Sequence, residues 1–268
     1  MARPGAGGRP VTDVSAARSV QLHLSGERTV PGVQEENYWF RRHEAAYRAL
    51  LPLCRDAVVL EAGCGEGYGA NMIAEVAERV VAVDYDEDCV RHVAETYASV
   101  RPVRGNLAVL PLSDQSVDVV ANLQVIEHLW DQHGFLTECR RVLRPGGPLL
   151  CTTPNRLTFT PDSDTPLNPY HTRELTADEL AELLHGAGFA VQSMRGLHHG
   201  PGVQALDERY GGSVIEAQLD VVMGHLPGTA PWPERLLMDV ASLTADDFTV
   251  QTEDIDASLD LIAVAVRQ

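Results

Sequence analysis

The sequence predicts an α/β fold: a doubly wound, mainly parallel sheet of seven strands, with an N-terminal helical cap and a C-terminal insertion. Three observations carry this expectation. Short β-branched runs alternate with longer helical segments from Val58 to Phe189, which implies parallel strands joined by right-handed crossovers, with helices on both faces. A glycine-rich turn follows the first strand and an acid closes the second, the positions at which open α/β sheets hold nucleosides. The 268 residues suffice for one domain with an elaboration.

In chain order, residues 1–25 are rich in Gly, Pro, Ala and Arg and read as a disordered tail, without the apolar run of a secretory signal. Residues 26–268 form the domain. Within it, 36–50 is an amphipathic helix with Trp39, Ala46 and Leu50 roughly along one side. Residues 56–199 make the core. Strands are expected at Val58–Leu60, Val80–Val83, Val100–Val103, Val117–Ala121 and Leu149–Thr152, with helices at Tyr68–Glu78, Glu87–Tyr97 and Phe135–Leu143 between them. Pro145, Gly146 and Gly147 mark the turn into the fifth strand. Thr176 and Glu179 have capping-box spacing, and Leu180, Leu183 and Leu184 give the apolar stripe of a helix stopped by Gly186 and Gly188. Phe189–Met194 and Leu259–Val266 are the last strong strands, with a weaker one at Phe248–Gln251. Residues 200–247 read as an insertion over the substrate side, and 248–268 close the sheet.

Composition removes several function classes. The formal net charge of -17 argues against nucleic acid as substrate, because phosphate binding relies on clustered Lys and Arg. The chain contains no lysine, which excludes a Walker-type phosphate loop and Schiff-base chemistry. No apolar run approaches the ~20 residues of a membrane span. The five cysteines are scattered, without a C-x-x-C pair, so neither a disulfide framework nor a zinc knuckle is suggested, and a reducing cytoplasm fits best.

The segment VVLEAGCGEGYG places Gly63, Gly65 and Gly67 between strand and helix, where close backbone approach to a ligand needs residues without a Cβ. Asp84 ends the second strand, where a carboxylate can accept hydrogen bonds from both ribose hydroxyls. The position that would carry the third glycine of a dinucleotide fingerprint is Tyr68, and the loop carries Glu61 and Glu66. Two carboxylates would repel a pyrophosphate, whereas S-adenosylmethionine has no phosphate and brings a sulfonium and an ammonium.

With EAGCGEG, VVAVD, GNLAVLPLSDQSVDVV, VIEHL and RVLRPGG in place, the chain resembles the class I methyltransferases, a Rossmann-like superfamily, from about Val58 to Phe189. The resemblance implies S-adenosylmethionine as cofactor, with residues 61–67, Glu61 among them, around its methionine part and Asp84 on its ribose. Asn106 and Leu107 would flank the adenine, although many relatives have Asp where this chain has Asn106. Tyr85 and Gln124 join the same set. In this superfamily an N-terminal helix commonly closes over the cofactor, which would bring in Tyr38, Arg42 and His43, with an arginine on the methionine carboxylate.

Methyl transfer is an in-line displacement, so positioning supplies most of the catalysis and a base assists when the acceptor is a hydroxyl. Glu127 and His128 follow the fourth strand, beside the cofactor in this fold. VIEHLWDQHGFLTECRRVLRPGG resembles the corresponding segment of sugar O-methyltransferases, in which a histidine at this location can be the base, so His128 is the first choice. The alternative is that the pair caps the next helix or supports the cofactor. His171, in NPYHTREL, is the second candidate. His198, His199, His225 and Asp207 do not have the spacing of a recognised metal site, and no metal is expected. SGERTVPG, ENYWFRRHEAAY, NPYHTREL and SLDLIAVAV extend the resemblance to actinobacterial methyltransferases of polymethylated polysaccharides, among them those associated with methylglucose lipopolysaccharide. This implies a carbohydrate acceptor, with the glucose 6-hydroxyl suspected. A nitrogen, carbon or phenolic acceptor, a non-catalytic binding protein and homo-oligomerisation all stay open.

Overall fold

The computed structural model describes residues 28–163, 165–224 and 232–268. The expected tail and His225 lie outside them. Five parallel strands come first: β1 (Val58–Ala62), β2 (Arg79–Asp84), β3 (Val100–Arg104), β4 (Val119–Leu123) and β5 (Pro148–Pro154). Their crossovers carry α2 (Tyr68–Ala74), α3 (Glu87–Thr96) and α4 (Gln132–Val142), and the N-terminal helix α1 (Asn37–Leu50) precedes them. After the short α5 (Arg156–Phe159) and α6 (Ala177–Gly186), β6 (Phe189–His199) and β8 (Asp260–Arg267) extend the sheet, with β8 antiparallel to both β5 and β6. With β7 at Phe248–Gln251, the strand order is β3-β2-β1-β4-β5-β8-β6-β7.

Among the described residues the sheet therefore has eight strands, not seven. The extra one is β7 (Phe248–Gln251), four residues pairing antiparallel with the end of β6. It lies at the edge, with Phe248 turned into the core, so only half of it carries an apolar signal. β6 runs further than expected, to His199, and β4 is displaced by two residues because Val117 forms only a bridge to Leu143.

Every residue of β1 and β4 is buried, as befits central parallel strands covered on both faces. Alternate residues feed two cores: Val59, Val80, Ala82, Val119 and Ala121 face one side with α1 and α2, while Leu60, Ala62, Val120 and Leu149 face α4 and α6. The Thr176–Glu179 capping box is present in full, and Gly188 follows α6 with φ +84°. Residues 200–247 contribute α7 (Pro201–Arg209), α8 (Val214–Gly224) and α9 (Glu234–Ala241). Val203, Leu206, Val214, Leu236 and Val240 join the same core as α1. Among the described residues, no helix is long and apolar enough to cross a membrane.

Candidate active site

The order reverses between β1 and β4, and the carboxyl ends of the strands on either side carry the residues of interest. The glycine loop is stitched to β2, since the amides of Gly63 and Cys64 both donate to Val83 O, at 2.8 and 3.1 Å. Gly63 has φ +83°, and a Cβ there would meet both Val125 methyls at 2.7 Å. Gly67 has φ +98°, with Val93 Cγ2 2.5 Å from the place of a Cβ. Gly65, φ +50°, has open space where its Cβ would stand, and its amide donates to Asp84 Oδ2 at 2.8 Å. Asp84 Oδ1 accepts from the Asp86 amide at 3.0 Å. Gly63 and Gly67 let the loop pack on Val125 and Val93, while Gly65 faces open space beside the half-buried Asp84 carboxylate, which fits a nucleoside-bearing cofactor such as S-adenosylmethionine.

The two loop acids have different surroundings. Glu61 is buried under the loop, accepting from Tyr47 Oη at 2.6 Å, while its Oε2 has no partner. Burial pushes its carboxyl up to about 8, against the bonds from Tyr47 and the Ala70 amide, with Asp84 and Glu66 adding to the rise. Glu66 is saturated by Tyr97 Oη at 2.9 Å, His92 Nε2 at 2.8 Å and the Tyr68 amide at 3.0 Å. The repulsion that the sequence assigns to both acids therefore does not rest on a charged Glu61, which holds its proton near pH 7 until a cation such as a sulfonium or ammonium favours its ionised form.

Of the remaining cofactor candidates, Leu107 is buried, Tyr85 is exposed, and exposed Asn106 turns its Oδ1 to the Ala108 amide at 2.9 Å. Gln124 follows β4 with φ +56°, a strained position for a residue with a side chain, and is held by its backbone amide on Thr152 O at 2.9 Å.

The α1 residues are placed differently from expectation. Arg42, only 2% exposed, donates to Asp260 Oδ2 and Oδ1 at 2.6 and 2.5 Å and to Leu259 O at 2.8 Å. The arginine foreseen on the cofactor's carboxylate instead neutralises a buried acid at the start of β8. Tyr38 is wholly buried and donates to His199 Nε2 at 2.6 Å, and His199 Nδ1 donates to Asp207 at 2.7 Å. His43 does reach the loop, with Nδ1 2.9 Å from Tyr68 Oη. Burial lowers it to about 4, so its ring is neutral at pH 7.

Glu127, His128 and His171 come together. One carboxylate oxygen and one ring nitrogen from each histidine all lie within 4.8 Å of one another. Backbone assembles them: Glu127 O accepts from the Thr172 amide at 2.7 Å and from Thr172 Oγ1 at 3.1 Å, and Gln132 Nε2 bridges Ile126 O and Arg173 O. The two imidazoles meet edge to face with centroids 4.9 Å apart. Glu127, 1% exposed, accepts from Thr153 Oγ1 at 3.0 Å, and burial pushes it up to about 8. His128 Nδ1 donates to Tyr170 O at 3.0 Å, and burial holds its pKa below the usual histidine range. The pair does not cap α4, which Asp131 caps through the Gly134 amide. A polar cavity of about 250 Å³ opens beside Thr172 and Glu174, lined also by Arg156, Thr160, Ser163 and Glu179. Sequence reasoning missed Thr153 and Glu174, which support the trio, and Asp260. An acid opening the apolar run LIAVAV is the signal that could have revealed Asp260.

The methyltransferase-domain family matches residues 60–151. A probable S-adenosylmethionine-dependent methyltransferase of Mycolicibacterium smegmatis is 59% identical over 92% of this chain and 95% of its own. Another from Mycobacterium tuberculosis is 56% identical over 94% of this chain and 92% of its own. Among solved structures, an S-adenosylmethionine-dependent methyltransferase from Mesorhizobium loti superposes with a TM-score of 0.53 at 17% identity, covering 84% of this chain and 98% of that one, a likeness of fold.

Proposed function

We propose that this chain, which belongs to the S-adenosylmethionine-dependent methyltransferases, methylates a sugar hydroxyl during methylated polysaccharide biosynthesis, with the glucose 6-hydroxyl as the acceptor. The cofactor supplies a methyl group already activated on sulfonium, so the protein's task is to present and activate the oxygen. The single observation that carries the reading is the meeting of Glu127, His128 and His171 at the carboxyl ends of β4 and β5.

That cluster offers what a hydroxyl needs and an amine does not. A neutral amine already carries a nucleophilic lone pair, whereas a sugar hydroxyl must lose its proton as its oxygen attacks. With Nδ1 donating to Tyr170 O, His128 is held in the tautomer whose Nε2 lone pair can take part. A cavity lined by Thr172 and Glu174, which bond Glu127 O and His171, presents hydroxyl and charged side chains, which suits a polyhydroxylated acceptor. Trp130, two residues past His128, is 92% exposed; a flat apolar ring with a polar edge is a good surface for a sugar face.

The test is incubation with methyl-labelled S-adenosylmethionine and a panel of glucose oligomers, partly methylated glucosides, mannosides, amines and phenols, with NMR of the product. Label on a sugar hydroxyl supports the proposal and names the position. Label confined to a nitrogen, carbon or phenolic oxygen refutes the carbohydrate acceptor. His128→Ala should lower kcat about 10²- to 10⁴-fold while leaving S-adenosylhomocysteine affinity unchanged.

A further inference from the structure

We infer that Glu127, His128 and His171 form a binding site for a divalent transition-metal ion, and that this ion activates the acceptor hydroxyl. The inference rests on the hydroxyl-acceptor reading above and assigns the trio a more specific task. The sequence points away from metal because it weighs His198, His199, His225 and Asp207, but His199 is bound to both Asp207 and Tyr38. The cluster that the fold assembles is a different one, and its spacing in sequence, two adjacent residues and a third more than forty positions on, matches no short metal motif.

The donor set is two imidazoles and one carboxylate, with His128 partly buried and the His171 side chain 4% exposed. Two nitrogens and one oxygen on one side of an ion leave open positions for water or substrate, the arrangement of catalytic rather than structural sites. Ligands about 2.1 Å from a metal sit roughly 3 to 3.4 Å apart in tetrahedral or octahedral geometry. The donors lie within 4.8 Å of one another, so closure on an ion requires side-chain movements on the order of an ångström.

The surrounding hydrogen bonds are those that ligand histidines use. His171 Nδ1 donates to Glu174 Oε1 at 2.6 Å and His128 Nδ1 to Tyr170 O at 3.0 Å. A carboxylate or carbonyl on one ring nitrogen fixes the tautomer and makes the other nitrogen a better donor to metal. Glu174 is 3% exposed and Thr153 Oγ1 orients Glu127 at 3.0 Å. Asn168 Nδ2 lies 3.1 Å from His171 Nε2 and would yield that nitrogen to the ion. Imidazole donors favour Fe²⁺, Ni²⁺ or Zn²⁺ over Mg²⁺ or Ca²⁺, and Mn²⁺, the weakest binder of the first-row series, serves as a spectroscopic probe.

In the step so assigned, the metal-bound acceptor hydroxyl gives its proton to a water molecule. Its oxygen electron pair forms the O–CH₃ bond, the CH₃–S pair returns to sulfur as the thioether of S-adenosylhomocysteine, and the metal keeps its oxidation state. His128 is then a ligand, and solvent is the base.

The experiment is titration of metal-free full-length protein with Mn²⁺, followed by electron paramagnetic resonance, and with Zn²⁺, followed by calorimetry, with Mg²⁺ as comparison. The wild type should take up one Mn²⁺ or Zn²⁺ per chain, tighter than Mg²⁺. Glu127→Gln and His171→Ala should each weaken it tenfold or more, as should His128→Ala, whose partly exposed ring can be removed without opening the core. Glu174→Gln, a positioning change, should cost about 10- to 100-fold in metal affinity. Retained S-adenosylhomocysteine binding and an unchanged circular dichroism spectrum identify the variants that fold. No uptake by the wild type at millimolar metal, or equal uptake by folded variants, overturns the inference. Sugar methylation that survives chelation would also overturn it while leaving the sugar acceptor standing. Metal uptake with label appearing only on nitrogen would keep the site and refute the acceptor.

Discussion

Replacing Glu61 by Gln should make the folded protein indifferent to a proton that the wild type holds tightly. The carboxyl is 1% exposed, with Oε2 unpartnered, and burial raises it from 4.5 to about 8. A group whose folded value lies above its unfolded value stabilises fully below the unfolded value, and that contribution is lost as pH rises through the folded one. Each pH unit between 4.5 and about 8 therefore changes the wild-type folding equilibrium about tenfold through this group. The full span is on the order of 5 kcal/mol, an upper figure because water entry and relaxation of the loop would reduce it. Glu127 and other titrating groups are shared by both proteins, so the difference between wild type and Glu61→Gln isolates Glu61. The assay is urea denaturation from pH 5 to 9: Glu61→Gln should gain on the wild type steadily as pH rises. Its functional counterpart is calorimetry of cofactor binding in two buffers of different ionisation heat. A sulfonium and an ammonium favour the ionised carboxyl, so near pH 7 the wild type should release close to one proton and Glu61→Gln none. Parallel stability profiles together with identical proton release would refute the reasoning.

Three further outcomes follow from the same geometry. Asp84→Ala removes the carboxylate that faces the cradle and receives the Gly65 amide; one or two charge-assisted bonds of about 1.5 to 3 kcal/mol each would go, and calorimetry should show cofactor affinity reduced tenfold or more. Gly63→Ala forces a Cβ to within 2.7 Å of both Val125 methyls at φ +83°, so the loop must shift, and S-adenosylhomocysteine affinity should fall further than overall stability does. Arg42→Met leaves Asp260, which is 0% exposed, without its cation; urea unfolding should show a loss of about 3 to 5 kcal/mol, and adding Asp260→Asn should recover part of it.

What was legible in the sequence was whatever is local. β1, the glycine turn and Asp84 lie within one strand–helix–strand unit, and the capping box at Thr176 spans four residues, so their patterns survive without knowledge of the fold. The Arg42–Asp260 pair joins residues 218 positions apart, and Tyr47 reaches Glu61 across from another element. Read locally, Arg42 is one more cation on an amphipathic helix and an attractive ligand for the cofactor's carboxylate. Only the burial of Asp260 at the start of β8 decides otherwise. β7 was the weaker strand for a similar reason, since a four-residue edge strand has too few inward positions to show a period.

The catalytic candidates were found as the Glu127–His128 pair and a separate rival, His171, and the structure joins them. The cause lies in main-chain bonding. Glu127 O receives the Thr172 amide and hydroxyl, Leu129 O receives the same hydroxyl at 2.8 Å, and Gln132 ties Ile126 to Arg173. The two segments are thus docked by groups that substitutions at Glu127, His128 and His171 leave in place. A trio assembled in this way can be altered one side chain at a time without undoing the dock. Changes in metal uptake, methyl transfer and pH response in those variants then report on the chemistry of the side chains rather than on the position of the loop.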